Sequence, residues 1–106
     1  MADKDILLRL GDTIAARKDA AAGTSYVASL MAKGEDAVLR KLLEEATETL
    51  LAAKEGDKLH LIRETADLWF HSLVLLALHG AGPQDVLDEL ERREGVSGIA
   101  EKAARK

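Results

Sequence analysis

Two short acidic stretches carry the residues best suited to chemistry in this chain: Glu44-Glu45-Ala46-Thr47-Glu48 and Glu64-Thr65-Ala66-Asp67. If both are helical, the period of about 3.6 residues per turn sets Glu45 and Glu48 roughly one turn apart on adjoining rows, and Glu64 and Asp67 likewise. Each helix then offers two carboxylates able to converge. Four such groups facing one another between antiparallel helices repel strongly in a region of reduced dielectric, unless a cation neutralises them or protons stay bound. An all-oxygen donor set favours a hard ion, Mg²⁺ or Mn²⁺, over zinc or copper, which recruit imidazole or thiolate. No Glu has a His three residues on, as a helical di-iron site wants, and no EF-hand calcium loop is present. With 19 acidic residues in the chain, helical Glu pairs also arise as plain solvated faces, and spacing alone leaves that alternative open.

The elements that must position these acids are helices. Apolar residues recur at helical spacing, and the glycines and the single proline fall where helices should stop. The pattern predicts five segments. The first runs from about Lys4 to Lys18 with a stripe of Ile6, Leu7, Leu10 and Ile14. A short second helix holds Tyr26, Val27, Leu30 and Met31, is capped by Thr24 or Ser25 and ends at Gly34. The third runs from about Glu35 to Lys54, with Val38, Leu39, Leu42, Leu43, Ala46, Leu50 and Ala53 on one side and Lys41, Glu45 and Glu48 along one edge of that stripe. Gly56 breaks it, and Asp57 caps a fourth helix reaching His79. Gly80, Gly82 and Pro83 then lead into a fifth near Gln84 to Arg93. Short connections make the neighbours antiparallel. The expected fold is all-α, an antiparallel bundle of four to five helices.

At 106 residues the chain suits one domain with one core, 1–106, and no internal repeat or low-complexity tract divides it. Tyr26, Trp69 and Phe70 are its only aromatics, so the core must be built from Leu, Ala, Val and Ile, which suits helix packing. The net charge is −4 and the basic residues are scattered, which argues against nucleic acid as a partner. There is no cysteine, hence no disulfide framework, and no signal peptide is visible, so a cytoplasmic location is expected. The longest apolar run, Leu73 to Leu78, is far shorter than the ~20 residues a membrane span takes. After Asp67 the fourth helix is apolar on nearly every side. In so small a chain that surface is hard to enclose, which predicts a homodimer or larger homo-oligomer with this helix in the interface.

The paired pattern Glu-Glu-x-x-Glu then Glu-x-x-Asp on consecutive helices resembles the signature of the all-α nucleoside-triphosphate pyrophosphohydrolases, the MazG-like superfamily. Within it, Ser25-Tyr26-Val27-Ala28-Ser29-Leu30, Lys33-Gly34, the two acidic stretches with Leu68, and Gly82-Pro83 resemble the phosphoribosyl-ATP pyrophosphohydrolase family over nearly the whole chain. The resemblance implies that Glu45, Glu48, Glu64 and Asp67 are the magnesium ligands and catalytic acids, with Glu44 an additional or supporting acid. It further implies hydrolysis between the α and β phosphates of phosphoribosyl-ATP, giving phosphoribosyl-AMP and pyrophosphate, the second step of histidine biosynthesis. Many relatives are fused to a cyclohydrolase domain, and nothing of that domain is present here. The stretch Arg92 to Gly98 resembles tails seen in some relatives and reads as a polar tail.

Substrate charge beyond what metal neutralises needs basic partners. Lys33 and Lys41 are the candidates, Arg63 reads rather as a solvated base, and Lys41 also suits pairing with Glu45 one turn on. Tyr26, beside a small-residue loop, is a candidate substrate wall. His71 reads as a hydrogen-bonded structural residue, and Trp69 and Phe70 as core. Two alternatives remain at this level. One is a house-cleaning nucleoside-triphosphate pyrophosphohydrolase of the same superfamily, and the other is a non-catalytic helical interaction module.

Overall fold

A computed structural model describes residues 2, 3 and 5–105 of the chain. The described residues form six α-helices and no strand: α1 (Ile6–Ala16), α2 (Tyr26–Ala32), α3 (Glu35–Glu55), α4 (Lys58–Leu78), α5 (Pro83–Arg93) and α6 (Gly98–Ala104). The expected start of the first helix, Lys4, lies outside the described residues. Its expected end at Lys18 comes two residues early, because the chain turns from Arg17 through Lys18 on hydrogen bonds to Ile14 and Ala15 carbonyls.

Local chemistry sets most of the ends. Ser25 adopts extended backbone and its hydroxyl accepts from the Ala28 N–H, which caps α2. Asp57 does the same for α4 by accepting from the His60 N–H over 3.1 Å. Gly56 ends α3 with φ +78°, a left-handed position that any side chain would strain. Pro83 opens α5, where its missing N–H costs nothing, and Asp85 accepts from the Gly82 N–H at that start. Of the expected polar tail, Arg92 and Arg93 end α5 and Gly98 begins a sixth helix, α6, which was not expected and whose first turn is capped by the Ser97 hydroxyl accepting from the Ala100 N–H.

The two longest helices, α3 and α4, form an antiparallel hairpin that is the spine of the fold, closed at its open end by the contact of His79 with Glu35. Helix α2 packs across both, α1 lies on α4, and α5 lies on α1. Ile14, Val27, Leu30, Met31, Val38, Leu73, Val74 and Ala77 make the buried core. Helices α1 and α5 meet so closely that a Cβ on Gly11 would stand 2.4 Å from Cδ of Pro83, a buried ring that cannot turn aside.

Helix α3 corrects the expected apolar stripe. Its buried residues are Val38, Glu45 and Ala52, one every seven positions, so a glutamate occupies the middle of the seam that a regular helix would fill with an apolar side chain. Leu39, Leu43, Leu50 and Ala53, expected against the core, are exposed, Leu50 by 69%. Helices α2 and α4 are the main neighbours of α3, and they leave these side chains uncovered. Helix α4 is likewise only partly enclosed. Its C-terminal half buries His71, Leu73, Val74 and Ala77, whereas Leu59, Ile62, Ala66 and Trp69 form an open stripe along its N-terminal half. Trp69, expected in the core, is 56% exposed, while Phe70 packs against the core. No helix among the described residues is long and apolar enough to cross a membrane.

Candidate metal centre

The hairpin brings three carboxylates together. Glu45 and Glu48, one turn apart on α3, meet Glu64 of α4, and one oxygen from each lies within 4.8 Å of the other two. Burial falls off in the order Glu45, Glu64, Glu48: the first is 4% exposed, the second intermediate and the third open to solvent. Asp67 and Glu44, the other two acids singled out by sequence, are not part of this cluster. Asp67 is exposed one turn beyond Glu64, and Glu44 is exposed beside Lys41.

Each of the two inner acids has one oxygen engaged and one bare. Glu45 Oε1 accepts from the Lys41 ammonium at 3.1 Å, with Glu44 at 3.7 Å from the same nitrogen. Glu64 Oε1 lies 3.3 Å from His60 Nε2. The second oxygens, Glu45 Oε2 and Glu64 Oε2, are buried without any hydrogen-bond partner. A buried carboxylate oxygen left bare forfeits its hydration with no return, and the two residues that carry one cluster with a third acid in a concentrated negative site. The donors are all oxygen, the set that suits a hard divalent cation and not a thiophilic one. The residues therefore fit a metal ion, and its ligands would be Glu45, Glu48 and Glu64.

The surroundings are electrostatically tuned. The hydrogen bond to Glu45 holds Lys41 above the usual lysine pKa, so it stays charged. Partial burial pushes the Tyr26 hydroxyl up; Lys41 opposes the shift, and Glu45, Glu44 and Asp67 add to it, which locates Tyr26 at the margin of the acidic region. Its hydroxyl is committed. The His71 Nδ1–H donates to the Asp67 carbonyl (2.7 Å), leaving Nε2 to accept from Tyr26 (2.8 Å), so His71 is the buried, hydrogen-bonded residue expected. Lys33 ends α2 and is exposed, with no side-chain ion pair among the described residues.

Sequence reasoning passed over His60. It sits in the first turn of α4, where its Nδ1–H donates to Glu55 Oε2 over 3.0 Å and its other nitrogen faces Glu64. Hydrogen bonding to Glu55 chiefly, with Glu64 in support, raises its pKa. The available signal was the four-residue spacing His60 to Glu64, which on a helix means contact.

Residues 7–94 match the phosphoribosyl-ATP pyrophosphohydrolase family. Among curated relatives, the phosphoribosyl-ATP pyrophosphatase of Chromobacterium violaceum is 62% identical over 102 residues, 96% of this chain and 94% of the relative. That of Nitrosospira multiformis is 62% identical over 106 residues, covering 100% and 88% respectively. That of Azoarcus is 55% identical over 106 residues, covering 100% and 99%.

Proposed function

The chain belongs to the phosphoribosyl-ATP pyrophosphohydrolase family, and on that premise we propose that it hydrolyses phosphoribosyl-ATP to phosphoribosyl-AMP and pyrophosphate, a cytoplasmic step of histidine biosynthesis, with Mg²⁺ as the ion its acids hold. One observation carries the metal-dependent reading: Glu45 and Glu64, on facing helices, each leave one carboxylate oxygen buried with no partner, and both residues cluster with Glu48. An interaction module would have no use for them. Glu45, Glu48 and Glu64 would hold the ion, with Asp67, one turn beyond Glu64, as the fourth ligand and Glu44 as an additional or supporting acid.

A divalent cation held there would supply Lewis acidity to the phosphate and make the attacking water more acidic. The chain supplies position. Lys41, already charged and held at the rim by Glu45 and Glu44, would face the remaining phosphate charge, and Lys33, exposed at the end of α2, adds a second cation. Tyr26, half exposed with its hydroxyl tied to His71, offers a ring face as a wall for the nucleotide.

The same reading includes assembly into a homodimer or larger homo-oligomer. Support comes from the open stripe Leu59, Ile62, Ala66 and Trp69 on α4 and from Leu39, Leu43 and Leu50 on α3, apolar side chains left exposed on both helices of the hairpin. Turnover of phosphoribosyl-ATP, measured against a panel of nucleoside triphosphates with Mg²⁺ and with EDTA, tests the function. Preference for a triphosphate of the panel, or turnover that survives EDTA, overturns it.

A further inference from the structure

Lys41 and His60 stand in the same relation to the two inner acids. Lys41 precedes Glu45 by four residues on α3, and His60 precedes Glu64 by four on α4. In both pairs the nitrogen meets Oε1, and in both the other oxygen, Oε2, is buried and bare. A carboxylate turned by one fixed donor has its second oxygen aimed by geometry, because the two oxygens lie in one plane on a single carbon. Lys41 is held between Glu45 and Glu44, and His60 likewise has a second acidic partner. Its backbone N–H is bound by the Asp57 cap, and its ring is tied through Nδ1 to Glu55, the last residue of α3. The imidazole thereby bridges the end of one helix of the hairpin to a metal-site acid of the other.

We propose that His60 is a positioning residue for the metal centre: anchored by Glu55 and Asp57, it engages Glu64 Oε1 and so presents Glu64 Oε2 to the cation. The inference rests on the metal-dependent reading above. It places His60 outside the set of ligands and gives it no contact with substrate. Glu55 is the orienting partner of the ring, and the sequence Glu55, His60, Glu64 runs from solvent inward, with the side chain of Glu55 58% exposed and that of Glu64 15% exposed. Removal of such a supporting contact from a ligand typically lowers metal affinity about 10- to 100-fold.

Coulomb's law taken alone predicts the opposite sign. A basic side chain close to a cation site repels the cation, so deleting it should tighten binding. The direction of the change therefore separates positioning from bulk electrostatics. The experiment is direct Mn²⁺ binding to the nucleotide-free protein, followed by electron paramagnetic resonance of the free ion, for wild type, His60→Ala, His60→Gln and Glu55→Gln. Because the His60 side chain is 41% exposed, these variants should fold, and circular dichroism melts in EDTA check that they do.

The expected result is Mn²⁺ affinity weakened about tenfold or more in His60→Ala, recovered in part by His60→Gln, whose amide can still donate to Glu64, and weakened by a smaller factor in Glu55→Gln. In the assay the half-saturating Mg²⁺ concentration should rise by the same factor, with kcat at saturating Mg²⁺ unchanged. Affinity in His60→Ala within twofold of wild type, or tighter, overturns the role of His60 and leaves the metal centre standing. Failure of the wild-type protein itself to bind Mn²⁺ overturns both.

Discussion

Glu48→Gln should make the protein more stable without metal and less stable with it. Glu48 is exposed, and its side chain makes no hydrogen bond or ion pair among the described residues, so the substitution removes charge and little else. Its oxygen lies within 4.8 Å of those of Glu45 and Glu64. At that distance each like-charge pair costs about 3.5 kcal/mol at an effective dielectric of ~20 and about 0.9 kcal/mol in bulk water. Glu48 sits near the aqueous limit, so relief of its two repulsions should raise stability in EDTA by about 1–2 kcal/mol. With Mg²⁺ at 100 times its dissociation constant, wild type gains about 2.7 kcal/mol, roughly 10 °C in Tm for a chain of this size. The variant, with one ligand charge gone and affinity lowered about a hundredfold, gains only about 0.4 kcal/mol. The stability order should therefore invert between EDTA and Mg²⁺, read by thermal and urea melts at one fixed protein concentration. A variant no more stable than wild type in EDTA that keeps its full Mg²⁺ response refutes the clustering of charge from which the site is argued.

Four further outcomes follow from named contacts. Gly11→Ala should destabilise by about 1–2 kcal/mol in urea melts, against the ~1 kcal/mol that helix propensity alone would favour, because the new methyl meets the Pro83 ring at 2.4 Å; a rise in stability would show that α1 and α5 do not meet as described. Tyr26→Phe leaves the buried His71 Nε2 without its donor and should cost about 1 kcal/mol, the low end for an unsatisfied buried group because Tyr26 is half exposed; no change in the urea midpoint would show that the bond contributes nothing. Trp69→Glu should shift the sedimentation equilibrium toward monomer, and wild type already monomeric at micromolar concentration would remove the basis for an interface on α4. Arg92 and Arg93 hold Glu89 down to about 2, so carboxyl NMR should find it ionised far below the usual range; its stabilising effect is present above the unfolded value and lost as pH falls through about 2, and Arg92→Ala with Arg93→Ala should return it to the ordinary range.

What could be read in advance divides by the range of the interaction responsible. Ser25, Gly34, Gly56, Asp57 and Pro83 punctuate the chain through contacts one turn long or less, so helix ends follow from local sequence. Which face of a helix is covered is not local. Leu39, Leu43 and Leu50 look like core because apolar periodicity reports burial without saying against what, and in α3 the neighbours α2 and α4 lie on the other side. The convergence of Glu45, Glu48 and Glu64 was visible as a spacing, yet the depth of Glu45 was not, since helical spacing placed it along the edge of the apolar stripe and not in the buried seam between Val38 and Ala52. His60 escaped notice because half of what holds it, the Glu55 carboxylate, comes from the preceding helix.

The depth of Glu45 is also where sequence logic and function part company. Val38 and Ala52 obey the seven-residue seam of α3, and an apolar residue between them would pack without penalty; a glutamate there is a buried charge partly offset by Lys41 and left with one bare oxygen. A fold selected for stability alone would not retain it. Local rules fail in native proteins mainly at sites of function, and here the violation, the unpaired oxygens and the converging acids fall on the same few ångströms of the hairpin. A bound divalent cation would offset the same charge that strains the metal-free protein, so on the proposed reading folding and catalysis would be coupled through one cluster, and a substitution that quiets the cluster should gain stability at the expense of metal affinity.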